Sequence, residues 1–281
     1  MNIPNYCVIF NLCIILFVLQ GEFMSILKKT MACVFGIGGT KVDTVVSSKS
    51  IYPGGKIEGV VNIYGGQVNQ DIKSVIIDVK TNYEKEYDDK TTTVETVVQR
   101  FLLNVDIVIN SEDNISLPFS FVLDYNCPIT KGKSKVWLST RLDIENAIDS
   151  LDTDTVTIKQ SKEMETVLNC IRDLGFKLKS TKNIFDKHRL SKYRYVQEFE
   201  YTPTSLPFRG KLDELEVVIV ANNKGLSVVL EVDRKVRSLG SLIAEKLSLD
   251  ESLVKIEFSY DELQNSQLGA SEIEKIIKKY S

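Results

Sequence analysis

Five carboxylates, Asp143, Glu145, Asp149, Asp152 and Asp154, crowd into twelve residues of the stretch RLDIENAIDSLDTDTV, Arg141 to Val156. Such a density admits three chemistries: oxygen ligands for a divalent cation, a general acid/base pair, or a charged cluster that joins two parts of a fold. A calcium loop started at Asp143 places Ile148 where the sharp turn requires Gly, and Asp154 where a bidentate Glu belongs. A catalytic carboxylate pair needs a set separation that nothing in the sequence imposes. If Arg141–Glu145 is a strand, Arg141, Asp143 and Glu145 share one face while Leu142 and Ile144 face the core, and the arginine offsets the neighbouring carboxylates. Asp152 and Asp154 share a face of the strand that follows. A surface or interdomain polar cluster is the reading these spacings favour over metal binding and catalysis.

Other reactive residues narrow the choice further. His188 is the single histidine, set among charged and aromatic neighbours in FDKHRLSKYRY, so a triad or a multi-histidine metal centre would hang on one side chain. A solvated loop or strand edge is expected for it. The five cysteines, Cys7, Cys13, Cys33, Cys127 and Cys170, are scattered without a C-x-x-C pair, as in a reduced cytoplasmic protein rather than a disulfide framework or zinc site. GIGGT, Gly36 to Thr40, is not followed by the Lys-Ser/Thr of a phosphate loop, because Val42 follows Lys41; a connector into the first strand is expected. With 35 Lys and Arg against 38 Asp and Glu, net charge -3, the chain has no basic stripe for nucleic acid.

The elements that must position these residues are mostly strands. From Lys41 to Lys159 the apolar period is two, with turn signals such as Pro53-Gly54-Gly55 and Gly65-Gly66 about every ten residues, the pattern of a β-sandwich. QDIKSVIIDVKTNYEKEY reads as one long strand whose alternation slips near Ser74. TTTVETVVQRFLLNVDIVIN reads as one or two strands more. KQSKEMETVLNCIRDLGF then carries Met164, Val167, Leu168 and Ile171 at helical spacing, with Gly175 placed to end the helix. More strands follow, with Asn222-Asn223-Lys224-Gly225 as a hairpin turn. Leu239 to Leu247 reads as a short helix, and SEIEKIIKKY as a terminal helix capped by Ser271 with Glu274 at the capping-box position. At 281 residues the chain has room for two domains, and the pattern joins them near Gln160.

The apolar run Tyr6–Leu19 is shorter than the about 20 residues of a membrane span and is interrupted by Asn11, and no Lys or Arg precedes Lys28. The expected start is Met24, with residues 1–23 an apolar extension, 24–35 a short N-terminal helix, and membrane contact only if the extension is translated.

Several long motifs carry a family likeness: MSILKKTMACVFGIGGTKVDTVV, YPGGKIEGVVNIYGGQVNQDIKSVIIDV, LPFSFVLDYNCPITKGKSKVWLSTRLDIENAIDSLDTDTV, RYVQEFEYTPTS and LDELEVVIV. Together they resemble the bacterial sporulation-control family, the stage-zero M proteins, over nearly all of Met24 to about Ser259. The resemblance implies an all-β fold of two arrestin-like β-sandwich domains, about 36–159 and 162–260, with a linker helix and a C-terminal helical tail over 261–281. It implies a non-enzymatic cytoplasmic regulator without a cofactor, which restrains entry into sporulation by binding other proteins and which forms a homodimer through sandwich edge strands. By analogy with arrestins, Arg141, Asp143, Asp152 and Asp154 are the candidates for a charged interdomain core. The alternative is a calcium- or carbohydrate-binding module using Asp143, Glu145, Asp152 and Asp154.

Overall fold

The computed structural model describes residues 39–88, 90–144, 150–234, 251–264 and 266–280. The apolar extension 1–23, the helix expected over 24–35 and the one expected at Leu239–Leu247 lie outside these residues.

Strands β1 (Lys41–Val46), β2 (Lys56–Tyr64) and β5 (Asn114–Val122) form an antiparallel sheet in the order β1-β2-β5. Their alternation sends Ile57, Val61 and Ile63 of β2 and Leu117, Phe119 and Phe121 of β5 into the core. Across that core stands β3 (Gln70–Tyr87), flanked by β4 (Lys90–Ile109), β6 (Val136–Ile144) and β7 (Leu151–Thr155). The slip expected at Ser74 is a bulge: the register of β3 shifts between Ile72 and Ser74 against both β4 and β6. The run expected as one or two strands is the single strand β4, 20 residues long.

β3 is the spine of the molecule. β4 lies along the whole of one edge, from Gln70 opposite Ile109 to Tyr87 opposite Lys90. The other edge takes β6 over Ile72–Thr81 and then, beyond it, meets β8 (Phe176–Phe185) in a parallel pairing of Glu84 with Ile184. From β8 the sheet continues through β9 (Tyr195–Pro203), β10 (Leu212–Ala221), β11 (Gly225–Arg234) and β12 (Glu251–Ser259). The two strand-rich halves therefore share one sheet, and their strands meet where β3 outruns β6.

Between the halves runs helix α1 (Lys162–Asp173). Ser161 caps it, its Oγ accepting from Met164 N at 3.2 Å, and Glu163 and Glu165 answer the positive helix end. Gly175, at φ 91°, closes it as expected, its N–H donating to Arg172 O at 2.9 Å. A helix of 12 residues is marginal alone, so its hold on the fold is the buried face of Met164, Val167, Leu168, Cys170 and Ile171. Each such side chain removed from water contributes about 1.5–3 kcal/mol. After β12 come α2 (Tyr260–Gln264) and α3 (Ser266–Tyr280), with Ile273 and Ile277 of α3 fully buried. α3 starts five residues before Ser271, the cap expected from the sequence. Docking of the Ile273–Ile277 face outweighs a local capping preference of about 1 kcal/mol. Among the described residues no helix is long and apolar enough to cross a membrane.

Candidate functional site

Where β3 meets β8, buried side chains of both halves interlock. On β8 and β9 the residues facing the core include Phe199 and Tyr201, yet two polar residues, Asn183 and Gln197, interrupt that face directly opposite each other. Both are buried, so each needs its hydrogen bonds met by protein. Asn183 Nδ2 donates to Thr81 Oγ1 at 3.0 Å and to Asn82 O at 2.9 Å, both on β3. Its Oδ1 accepts from Ser134 Oγ at 2.9 Å. Gln197 Nε2 donates to Ile129 O at 2.8 Å and to the same Ser134 Oγ at 2.9 Å, while its Oε1 accepts from Ile129 N at 3.0 Å.

Ile129 and Ser134 belong to CPITKGKSK, the loop that leads from β5 to β6 and lies against β8 and β9. Lys133 N donates to Thr181 O at 2.9 Å. Gly132 makes this approach feasible: it sits at φ 59°, and a Cβ there would stand 2.4 Å from Thr181 O. Further along, Asn126 Oδ1 accepts from Ala221 N at 2.9 Å, and Tyr193 OH donates to Val98 O at 2.9 Å. A row of rings follows the same line, with Tyr83 stacked between Phe185 and Tyr195 at centroid distances of 6.5 and 6.0 Å.

The interior of this seam is neutral. Burial raises the Cys127 thiol, with nearby Asp124 adding to the shift, and burial likewise raises the Tyr193 and Tyr195 hydroxyls. Among the described residues, ion pairs stand at its rim, where Lys192 Nζ pairs with Asp124 Oδ2 at 2.6 Å and Lys133 Nζ with Glu84 Oε1 at 3.0 Å. Such an arrangement is a set of amides and hydroxyls that satisfy one another. What it can do is fix the angle between two halves, because amides accept few alternative geometries once buried.

The carboxylates singled out in the sequence stand elsewhere. Arg141 lies opposite Leu151 and Ile76, and Asp143 opposite Ser74, whose Oγ donates to Asp143 Oδ2 at 3.3 Å. Asp152 lies opposite Thr140 and Asp154 opposite Leu138. Directly opposed residues share a face, so Asp152 and Asp154 stand on the face of Leu138, Thr140 and Leu142, and Arg141 and Asp143 on the other. The sheet divides the four into two pairs. It also places them on β6 and β7, beside the stretch of β3 that precedes its meeting with β8. Asp152 is tied instead to β1, its Oδ2 accepting from Thr44 N at 2.7 Å, and Thr44 Oγ1 bonds Thr140 Oγ1 at 2.6 Å. Glu145 and Asp149 lie outside the described residues. His188 is exposed in the loop between β8 and β9. Among the described residues no group of three or more His, Cys, Asp or Glu is arranged to hold a metal ion.

The seam residues escaped the sequence reading because each is an ordinary polar residue taken alone. A signal was present at one of them: Gln197 falls in phase with Tyr195, Phe199 and Tyr201, where the alternation of β9 calls for an apolar side chain, whereas the bulge in β8 hides Asn183 from such a reading.

Comparison with known proteins identifies the family. A profile of the SpoOM protein family matches residues 27–236. The sporulation-control protein spo0M of Bacillus subtilis (strain 168) is 33% identical over 258 residues, which cover 92% of this chain and 100% of that protein. The crystal structure of Spo0M, sporulation control protein, from Bacillus subtilis superposes with a TM-score of 0.78 at 31% identity, covering 87% of this chain and 100% of that one. The chain therefore belongs to the SpoOM sporulation-control family.

Proposed function

We propose that this chain is a cytoplasmic, non-enzymatic regulator that restrains entry into sporulation, working as an arrestin-like scaffold for other proteins. The observation that carries the reading is the likeness to the sporulation-control protein along that protein's entire length. The neutral seam supports the scaffold part: a protein that presents two strand-rich halves at a held angle offers partners a composite surface without bond-making chemistry. In this reading the halves act as two domains, and the Asp152 tie to β1 stiffens the N-terminal one. Self-association proceeds through a sheet edge, and β4 is the candidate edge, since among the described strands it pairs with β3 alone.

The test is complementation. The chain is expressed in a Bacillus subtilis strain that lacks its own sporulation-control protein, and heat-resistant spores are counted beside cross-linking of the complexes formed. Restored spore counts together with captured protein partners are the expected result. Spore counts that do not respond to the chain overturn the reading.

A further inference from the structure

Away from the seam, a cavity of about 170 Å³ opens at the N-terminal end of α1, where both halves and the helix meet. Three tyrosines line it: Tyr52 and Tyr125 from the N-terminal half and Tyr260 from the start of α2. Met164 and Leu226 supply apolar wall, and Glu163 is the one charged side chain among the lining residues.

The rings are held in place. Tyr125 rests on Gly54 and Tyr52 on Gly55: an added Cβ would lie 2.5 Å from Tyr125 Cε1 in the first case and 2.7 Å from Tyr52 Cε2 in the second. The Pro-Gly-Gly turn thus serves as a bed for two aromatic side chains as well as a reversal of the chain. Tyr260 is anchored at its far end, its hydroxyl donating to Asn222 O at 2.5 Å. Burial raises that hydroxyl, and Tyr125 and Glu163 are near enough to raise it further. These rings and this carboxylate are therefore neighbours in space.

The electrostatics select one sign of ligand. A helix N-terminus ordinarily attracts anions, but here Ser161 already fills the cap and Glu163 and Glu165 already answer the dipole. Glu163 makes no ion pair among the described residues. Aromatic rings beside an unpaired carboxylate attract a diffuse organic cation, because ring faces carry negative quadrupole charge and large ammonium groups shed water at little cost. We propose that this cavity binds an alkylated ammonium group, carried either by a free small molecule or by a modified lysine of another protein. The site is independent of the sporulation reading, which stands or falls without it.

Isothermal titration calorimetry of the full chain tests it. The probes are choline, its neutral carbon isostere 3,3-dimethyl-1-butanol, a trimethyl-lysine peptide and sodium phosphate, at constant ionic strength. Saturable binding of choline or the peptide is expected, with the isostere weaker by about tenfold. Tyr52→Ala and Glu163→Gln should each weaken binding by about fivefold while leaving the unfolding midpoint near that of the parent. Tighter binding of the peptide than of choline assigns a protein-borne cation, and the reverse order assigns a free one. Equal affinity for choline and the isostere, indifference to both substitutions, preference for phosphate, or no saturable binding by either cation overturns the proposal.

Discussion

Gln197 and Ile129 exchange two hydrogen bonds, Gln197 Nε2 donating to Ile129 O at 2.8 Å and Ile129 N donating to Gln197 Oε1 at 3.0 Å. This is the reciprocal pattern of an antiparallel backbone pair, made here between a side-chain amide of one half and the main chain of the other. A primary amide is the group that can offer a donor and an acceptor side by side in one plane.

Removing that amide strands a buried N–H and a buried carbonyl. Gln197→Ala should cost about 2–4 kcal/mol, read as a lowered urea midpoint. Small-angle scattering should show a larger radius of gyration while the far-ultraviolet strand signal is kept. An unchanged radius would mean that the halves are held by other contacts.

Backbone approach gives a second check. Gly132→Ala places a methyl 2.4 Å from Thr181 O and forces an L residue to φ 59°, so a loss of about 2–4 kcal/mol is expected. Gly210 has a similar φ of 82° but nothing within 4 Å of an added Cβ. Gly210→Ala should therefore cost only about 1 kcal/mol for the backbone. Equal melting temperatures for the two variants would refute the contact argument.

The outer face of the C-terminal sheet governs pH dependence. Glu216 lies opposite Glu200 and Glu231 on that sheet, and burial, with Glu198, Glu231 and Glu214 near it, pushes its carboxyl from 4.5 up to about 8. The folded protein holds this proton more tightly than the unfolded chain. The resulting stability is complete below about pH 4.5 and is lost progressively as pH rises through about 8. Glu216→Gln should flatten the fall in melting temperature between about pH 5 and 9, and should exceed the parent in stability at the alkaline end. A parallel pH profile for the variant counts against the assignment.

The acidic stretch is tested with Asp152→Ala plus Asp154→Ala. Loss of the Asp152 bond to Thr44 N should lower stability by about 1–3 kcal/mol. Its scattering profile, set beside that of Gln197→Ala, distinguishes a strap within the N-terminal half from a clasp between halves: the strap leaves the radius of gyration unchanged.

Calcium, magnesium and manganese should leave the melting temperature unmoved, since bound ligand at 100 times its dissociation constant would add about 2.7 kcal/mol. A rise with any of them would revive the cation-binding module as the function.

Much of the local architecture was legible from the sequence because it is written in periods and punctuation. Alternation along β2 and β3, the 3.6 spacing of Met164, Val167, Leu168 and Ile171, the Asn222–Gly225 turn and the end of α1 at Gly175 are each decided within a few residues of chain. Even the bulge at Ser74 announced itself as a slip in alternation. The pairing of faces did not. Arg141 and Asp143 lie close in sequence to Asp152 and Asp154, yet a turn between two antiparallel strands settles which residues oppose one another, and a register differing by one would have put all four on one side. Nor could spacing reveal that Ser134, Asn183 and Gln197, separated by up to 63 residues, would meet in one hydrogen-bonded group. Their partnership exists because β3 outruns β6 and so receives β8, a length mismatch between distant strands that only the folded sheet resolves.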